Sequence, residues 1–180
     1  MSWKSRPLMD LPEGTHVFID ANIFIYHFAG ASGECTQFLF RCERQRLHGV
    51  TSIHILLEVL HRLMIAEAVA RKLVSPRNAT RKLKESPRII SQLKSYQAKV
   101  EAIFEMGIEI LPLSGEIIQT SARYRREYGL LVNDSVTVAL ALNQGITALA
   151  SADKDFERVK ELAVYSPQDV KIIEGMEGTI

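Results

Sequence analysis

Brief apolar runs that stop abruptly and hand over to long helical stretches constrain this chain more than any other feature. The first is Val17-Phe18-Ile19 in "HVFID"; the others are Val50-Thr51 in "GVTS", "IEIL" at 108–111 and "ITALAS" at 146–151. Each is rich in β-branched or aliphatic residues, too short for a helix, and bounded by glycine or a polar residue, which reads as a buried strand. "LAVYSP" at 162–167 is expected to add a fifth strand at the edge. Strands separated by helices imply a parallel sheet covered on both faces, a three-layer α/β/α sandwich. At 180 residues the chain reads as a single domain over 1–180, with a core at about 16–165 and short terminal tails.

The intervening helices follow from periodicity and caps. Residues 33–48 place Phe38, Leu39 and Cys42 inward and stop at Gly49. Ser52 is a favoured cap for a helix running from Ile53 to about Val74. A proline-bounded stretch, "SPRNATRKLKESP", should be a loop or short helical excursion. Residues 88–106 space Ile89, Leu93, Tyr96, Val100 and Ile103 as one amphipathic helix. Ser114 caps the next helix, "LLVNDSVTVALALNQG" forms another, and "DKDFERV" a short one.

Acids recur at strand ends. Asp20 ends the first strand, Asp153 and Asp155 follow the fourth, and Asp134 lies near a helix start. Glu58 stands six residues after Ser52, ~9 Å along the helix leaving the second strand. Ligands of open parallel sheets bind outside the carboxyl ends of the strands, where these acids could converge. Carboxylates gathered in one cleft repel one another unless a cation joins them. Oxygen-only ligand sets select hard ions, so one or two Mg2+ or Mn2+ ions are expected. Such an ion activates water and offsets charge developing on a phosphodiester. Each acid also has a plainer reading, as a helix cap at Asp20 and Asn22, a surface position at Glu58, a dipole partner at Asp134, and turn residues at Asp153 and Asp155.

Composition narrows the class. Hydrophobic residues make up 47% and charged residues 24%, ordinary for a globular chain. "MSWKSRPLMDLPEGT" lacks the apolar run of a signal peptide, and residues 130–152 are interrupted by Asn133, Asp134, Asn143, Gln144 and Gly145, so no membrane partner and a cytoplasmic setting are expected. Cys35 and Cys42, two helical turns apart, neither bridge nor match a zinc spacing. Net charge is +1, but nine of the 22 basic residues and one of the 21 acidic ones fall within 71–99. That segment carries +8 and the remainder −7, either a polyanion footprint or a solvated helical excursion. Arg77, Arg81, Lys82, Lys84 and Arg88 are its candidate nucleic-acid contacts.

In order, "VFIDANIFIYHF", "TSIHILLEVLHRL", "GLLVNDSVTVALAL" and "ALASADKDFERV" resemble the successive motifs of the PIN-domain nucleases, closest to the VapC-type toxins of toxin–antitoxin modules. The resemblance spans about 17–164 and implies a PIN-like fold with metal-dependent hydrolysis of RNA. It assigns Asp20, Glu58, Asp134 and Asp153 as the metal-binding catalytic quartet, Asp155 as an auxiliary ligand, and Asn22, Ser52 and Ser151 as groups that orient them. It also implies an antitoxin partner and a homodimer. Phe24, Phe28, Phe38 and Phe40 are either core or part of that dimer surface. The family includes members in RNA processing, and the proline-bounded insertion departs from its most compact toxins.

Three rivals remain to be weighed. A haloacid-dehalogenase-like phosphatase needs an acid two residues after its nucleophile, where this chain has Asn22. His54, Glu58 and His61 share a helical face, and Glu58-x-x-His61 has di-iron spacing, but that site needs a second helical copy. A catalytically silent PIN-like module binding RNA or protein is the strongest non-enzyme alternative. Degenerate members of the family lose acids, and all four are present here.

Overall fold

Hydrogen bonds among the short apolar runs organise the whole molecule, described by a computed structural model over residues 5–171. The expectations for residues 1–4 and 172–180 lie outside the described residues. Six strands form one parallel sheet in the order β1-β6-β5-β2-β3-β4. They are β1 (Arg6–Pro7), β2 (His16–Ile19), β3 (His48–Ser52), β4 (Glu109–Leu111), β5 (Ala148–Ala150) and β6 (Ala163–Ser166). Val17, Phe18 and Ile19 of β2 are wholly buried, as expected of a central strand bounded by β3 and β5. Helices α1 (Ala21–Phe28), α2 (Gly33–Glu43), α3 (Ile53–Ala70), α6 (Ser95–Glu105), α7 (Gly115–Tyr128) and α8 (Val132–Asn143) flank it, with α4 (Ala79–Glu85) and α5 (Pro87–Ile90) in the insertion.

The strand order locates a crevice. From β2 the chain moves outward through β3 and β4, then returns across β2 to place β5 on its other side. That reversal makes the carboxyl end of β2 a topological switch point, and Asp20 is the next residue. Close packing of α2 on the sheet depends on Gly49. A Cβ there would stand 3.0 Å from Ile19 Cδ1, 3.1 Å from Cys42 Sγ and 3.2 Å from Ile108 Cγ1, so these three side chains would have to shift by a few tenths of an ångström. Cys42 and Cys35 are both buried free thiols.

Five expectations need correction, and the first is the helix expected over 33–48: α2 ends at Glu43, Gln45 turns left-handed (φ +57°) and His48 already belongs to β3. Strand β6 is not at the edge, because Arg6 and Pro7 pair beyond it with Tyr165 and Ser166. A two-residue strand containing proline has no alternation to betray it. The helix expected over 88–106 is broken. Glu67 of α3 accepts hydrogen bonds from the amides of Lys94 (3.1 Å) and Tyr96 (2.9 Å), capping a fresh start at α6. Helix α3 ends at Ala70, with Lys72 in a left-handed conformation (φ +58°). Ser52 precedes α3 without capping it by its side chain, whereas Ser114 accepts from the Ile117 amide as expected.

The insertion is anchored rather than loose. Leu83 and Ala79 of α4, with Val74 and Leu93, bury against Ile65 and Ala68 on the far half of α3, in a small core separate from the main one. Among the described residues no helix is long and apolar enough to cross a membrane.

Candidate functional site

Asp20 continues the ladder past β2, its amide donating to the Ala150 carbonyl at 3.0 Å. It occupies the cap position of α1, yet its carboxylate makes no capping bond. Instead Oδ2 accepts from Asn22 Nδ2 and from Ser151 Oγ, both at 2.7 Å. Asn22 Nδ2 also reaches Ser151 Oγ (3.1 Å), and its Oδ1 accepts from the Ala152 amide (3.0 Å). Ser151 Oγ in turn accepts from the Asp153 amide at 3.0 Å. Asn22 and Ser151 therefore stitch the ends of β2 and β5 together around one carboxylate oxygen. Burial pushes the Asp20 carboxyl up to about 7; the Ser151 bond opposes the rise, and the charges of Glu58 and Asp134 add to it.

The other acids arrive from separate elements. Asp134 lies in the first turn of α8, pushed up to about 6 by burial and then by the fields of Asp153, Asp155 and Glu58. Asp153 follows β5, and its Oδ1 accepts from the Asp155 amide at 2.8 Å, starting the short 3-10 helix Lys154–Arg158. Glu58 projects from α3 and pairs with Arg62, Nε to Oε1, at 3.4 Å. A cleft of about 280 Å³ is lined by Asp20, Asn22, Tyr26, Glu58, Arg62, Asp134 and Asp153. A second lobe of about 430 Å³ shares Glu58, Arg62, Asp134 and Asp153 and reaches Leu131 and Val132.

Other candidates sit apart. Asp155 lines neither lobe and pairs with Arg158 at 2.5 Å. Ser52 touches no carboxylate: its Oγ is 2.7 Å from His54 Nδ1, and His54 Nε2 is 3.1 Å from Thr137 Oγ1. Burial pushes His54 down to about 4, so the imidazole is neutral, bridging the start of α3 to α8 three residues past Asp134. His61 is exposed, both ring nitrogens of His54 are engaged by Ser52 and Thr137, and among the described residues His54, Glu58 and His61 are not gathered into one ligand set. Arg77, Arg81, Lys82, Lys84 and Arg88 are exposed and line neither lobe; Arg81 and Lys82 each lie 3.8 Å from Glu85. Helix α4 packs at Ile65 and Ala68, ~10–15 Å along α3 from Glu58. Arg62 and Tyr26 were not anticipated. The Glu58-x-x-x-Arg62 spacing carried a signal for the first; nothing distinguished Tyr26 among the aromatic residues of α1.

The donor set fits a hard divalent ion in chemistry. It offers only oxygen, and two of its carboxyls are raised by burial and mutual repulsion that a cation would relieve. Among the described residues no three His, Cys, Asp or Glu side chains are gathered tightly enough to hold one ion.

Comparison with known proteins places the chain in a family. The chain belongs to the PIN domain family, whose model matches residues 17–162. It is similar to Ribonuclease VapC2 of Methanocaldococcus jannaschii, 27% identical over 154 residues, covering 84% of this chain and 94% of that protein. Two solved structures share the fold. One is VapBC2 from Rickettsia felis bound to a DNA fragment from their promoter, with TM-score 0.56, 16% identity, and coverage of 84% of this chain and 98% of that one. The other is a toxin–antitoxin complex from Klebsiella pneumoniae, with TM-score 0.55, 21% identity, and coverage of 86% and 99%.

Proposed function

We propose that this protein is an Mg2+- or Mn2+-dependent endoribonuclease of the VapC type, acting as the toxin of a toxin–antitoxin pair in the cytoplasm. The observation that carries the reading is the convergence of Asp20, Glu58, Asp134 and Asp153 on one cleft at the switch point of a PIN fold. The similar ribonuclease and the toxin–antitoxin complexes of like fold support the substrate and the antitoxin. A homodimer belongs to the same reading. Phe24 and Phe38 are core and unavailable to it, while Phe40 is exposed.

Asp20, aimed by Asn22 and Ser151, and Asp134 and Asp153 at the cleft wall are the groups that would hold the ion, with Glu58 in reserve beside Arg62. A bound divalent ion supplies a water of lowered pKa and offsets charge on the phosphoryl oxygens. The chain's part is placement. Asp20 is fixed in one orientation by two donors, so little reorganisation is needed when the cleft is filled. Asn22 donates to Asp20 and is an amide, so it cannot transfer a proton as the phosphatase mechanism requires.

The test is cleavage of end-labelled single-stranded RNA and DNA by wild type and Asp20→Ala in manganese, magnesium or EDTA. Metal-dependent RNA cutting that vanishes in the variant is the expected result. Parental cutting by Asp20→Ala would overturn the site, DNA cutting would change the substrate, and RNA binding without cutting would favour a silent module.

A further inference from the structure

Arg62 stands one turn beyond Glu58 on α3 and borders both lobes of the cleft. Among the described residues lining those lobes, it is the sole Lys or Arg. The basic segment 71–99, with its +8 charge, lines neither. A phosphodiester entering the cleft therefore meets four carboxylates and one cation of the chain. Like charge at such a site excludes an anion unless fixed positive groups offset it.

The Glu58–Arg62 pair is built for exchange. The contact is 3.4 Å through Nε, and the side chains of Arg62 and Glu58 remain 27% and 29% exposed, so water and ligands reach both. Pairs of this spacing and exposure are weakly held. A guanidinium matches phosphate oxygens with two parallel N–H donors, a stronger arrangement than a single ion-pair contact. While Arg62 holds Glu58, one oxygen of a carboxylate that lines the cleft with Asp20, Asp134 and Asp153 is engaged by a side chain rather than free for an ion.

We propose that Arg62 is the phosphate-binding group of the cleft: paired with Glu58 in the free protein, it exchanges that carboxylate for a non-bridging oxygen of the substrate's phosphodiester and frees Glu58 for the divalent ion. The inference rests on the nuclease reading of the site and names how that site tolerates a polyanion.

Wild type, Arg62→Gln and Arg62→Lys are compared in two measurements. One is manganese binding without RNA, read by the paramagnetic resonance of free ion. The other is steady-state cleavage of labelled single-stranded RNA in manganese over a range of KCl. Arg62→Gln is expected to bind manganese about two- to fivefold more tightly, because Glu58 has lost its competitor. Its KM for RNA should rise about tenfold or more. The slope of log(kcat/KM) against log salt should become shallower by about 0.7, one phosphate contact on a single strand. Arg62→Lys should restore the slope but only part of KM, since it keeps the charge and loses the fork.

Wild-type KM and slope in Arg62→Gln would overturn the proposal, and so would weaker manganese binding. If Arg62→Gln fails to fold, Arg62→Lys decides: a raised KM at unchanged slope supports the contact, and a parental KM overturns it. Wild type that never cuts RNA would instead defeat the nuclease reading, and the manganese titration would still report whether Arg62 competes for Glu58.

Discussion

In the ion-free protein, burial lets the Asp20 carboxyl hold its proton to higher pH than in the unfolded chain. The carboxyl rises from 3.8 to about 7 on folding, chiefly through burial, so the folded state binds the proton more tightly. This contribution to stability is complete below pH 3.8 and is lost as pH climbs through about 7. Urea unfolding of the ion-free protein should therefore show stability falling over that window, by on the order of 1–4 kcal/mol. Asp20→Asn keeps an acceptor for Asn22 and Ser151 and should flatten the fall, leaving the ion-free variant more stable than wild type above pH 7. A variant with the parental pH slope would show that another group titrates. Added magnesium should stabilise wild type and not the variant, since a ligand that binds only the folded state raises its stability.

At the scale of elements, helix caps and bridges come from distant parts of the chain. Glu67 of α3 accepts from the first amides of α6, and although partial burial opposes it, bonds from Tyr96, Lys94 and Ser95 hold its carboxyl below the usual range. Glu67→Ala should cost about 0.5–2 kcal/mol, the range for losing a helix cap. Hydrogen exchange should speed up at the Lys94 and Tyr96 amides while β2 and β5 stay protected. Equal loosening of the central strands would mean that Glu67 supports the whole fold rather than one helix start. The His54 bridge between Ser52 and Thr137 works similarly, coupling the helix that bears Glu58 to the helix that bears Asp134.

The whole molecule separates its charges. Acids gather at the switch point of the sheet, while the basic insertion packs on the far half of α3 with its own small core. If RNA spans both regions, the insertion supplies affinity and the cleft supplies chemistry. Arg77, Lys84 and Arg88 are exposed and have no carboxylate partner among the described residues. Replacing all three with glutamine should reduce the salt slope of RNA binding by about 2, or ~0.7 for each lost phosphate contact. Cleavage at saturating RNA should be unchanged. An unaltered slope would assign the insertion to something other than RNA.

Local pattern was enough to determine the order of the strands β2 to β6 and of the main helices, the parallel sheet and the acids at strand ends. Brief apolar runs and their polar stops depend on neighbours within a few residues, and Asp20 after Val17-Phe18-Ile19 is legible on that basis. Partners brought together across the chain were not legible from local pattern; only the family resemblance placed Ser151 among the groups that orient the acids. Ser151 lies 131 residues from the Asp20 oxygen it bonds, and Thr137 lies 83 residues from His54. Glu67 breaks a periodic helix from 27 residues away, and Arg6 and Pro7 become an edge strand only because Tyr165 and Ser166 pass beside them. The environments of the acids belong to the same class. Burial and opposing charges set the protonation of Asp20 and Asp134, and both are properties of the folded cleft rather than of any segment. Sequence determined which groups the molecule owns; tertiary structure decided which of them meet, because desolvation and hydrogen bonding act over a few ångströms of space whatever the separation along the chain.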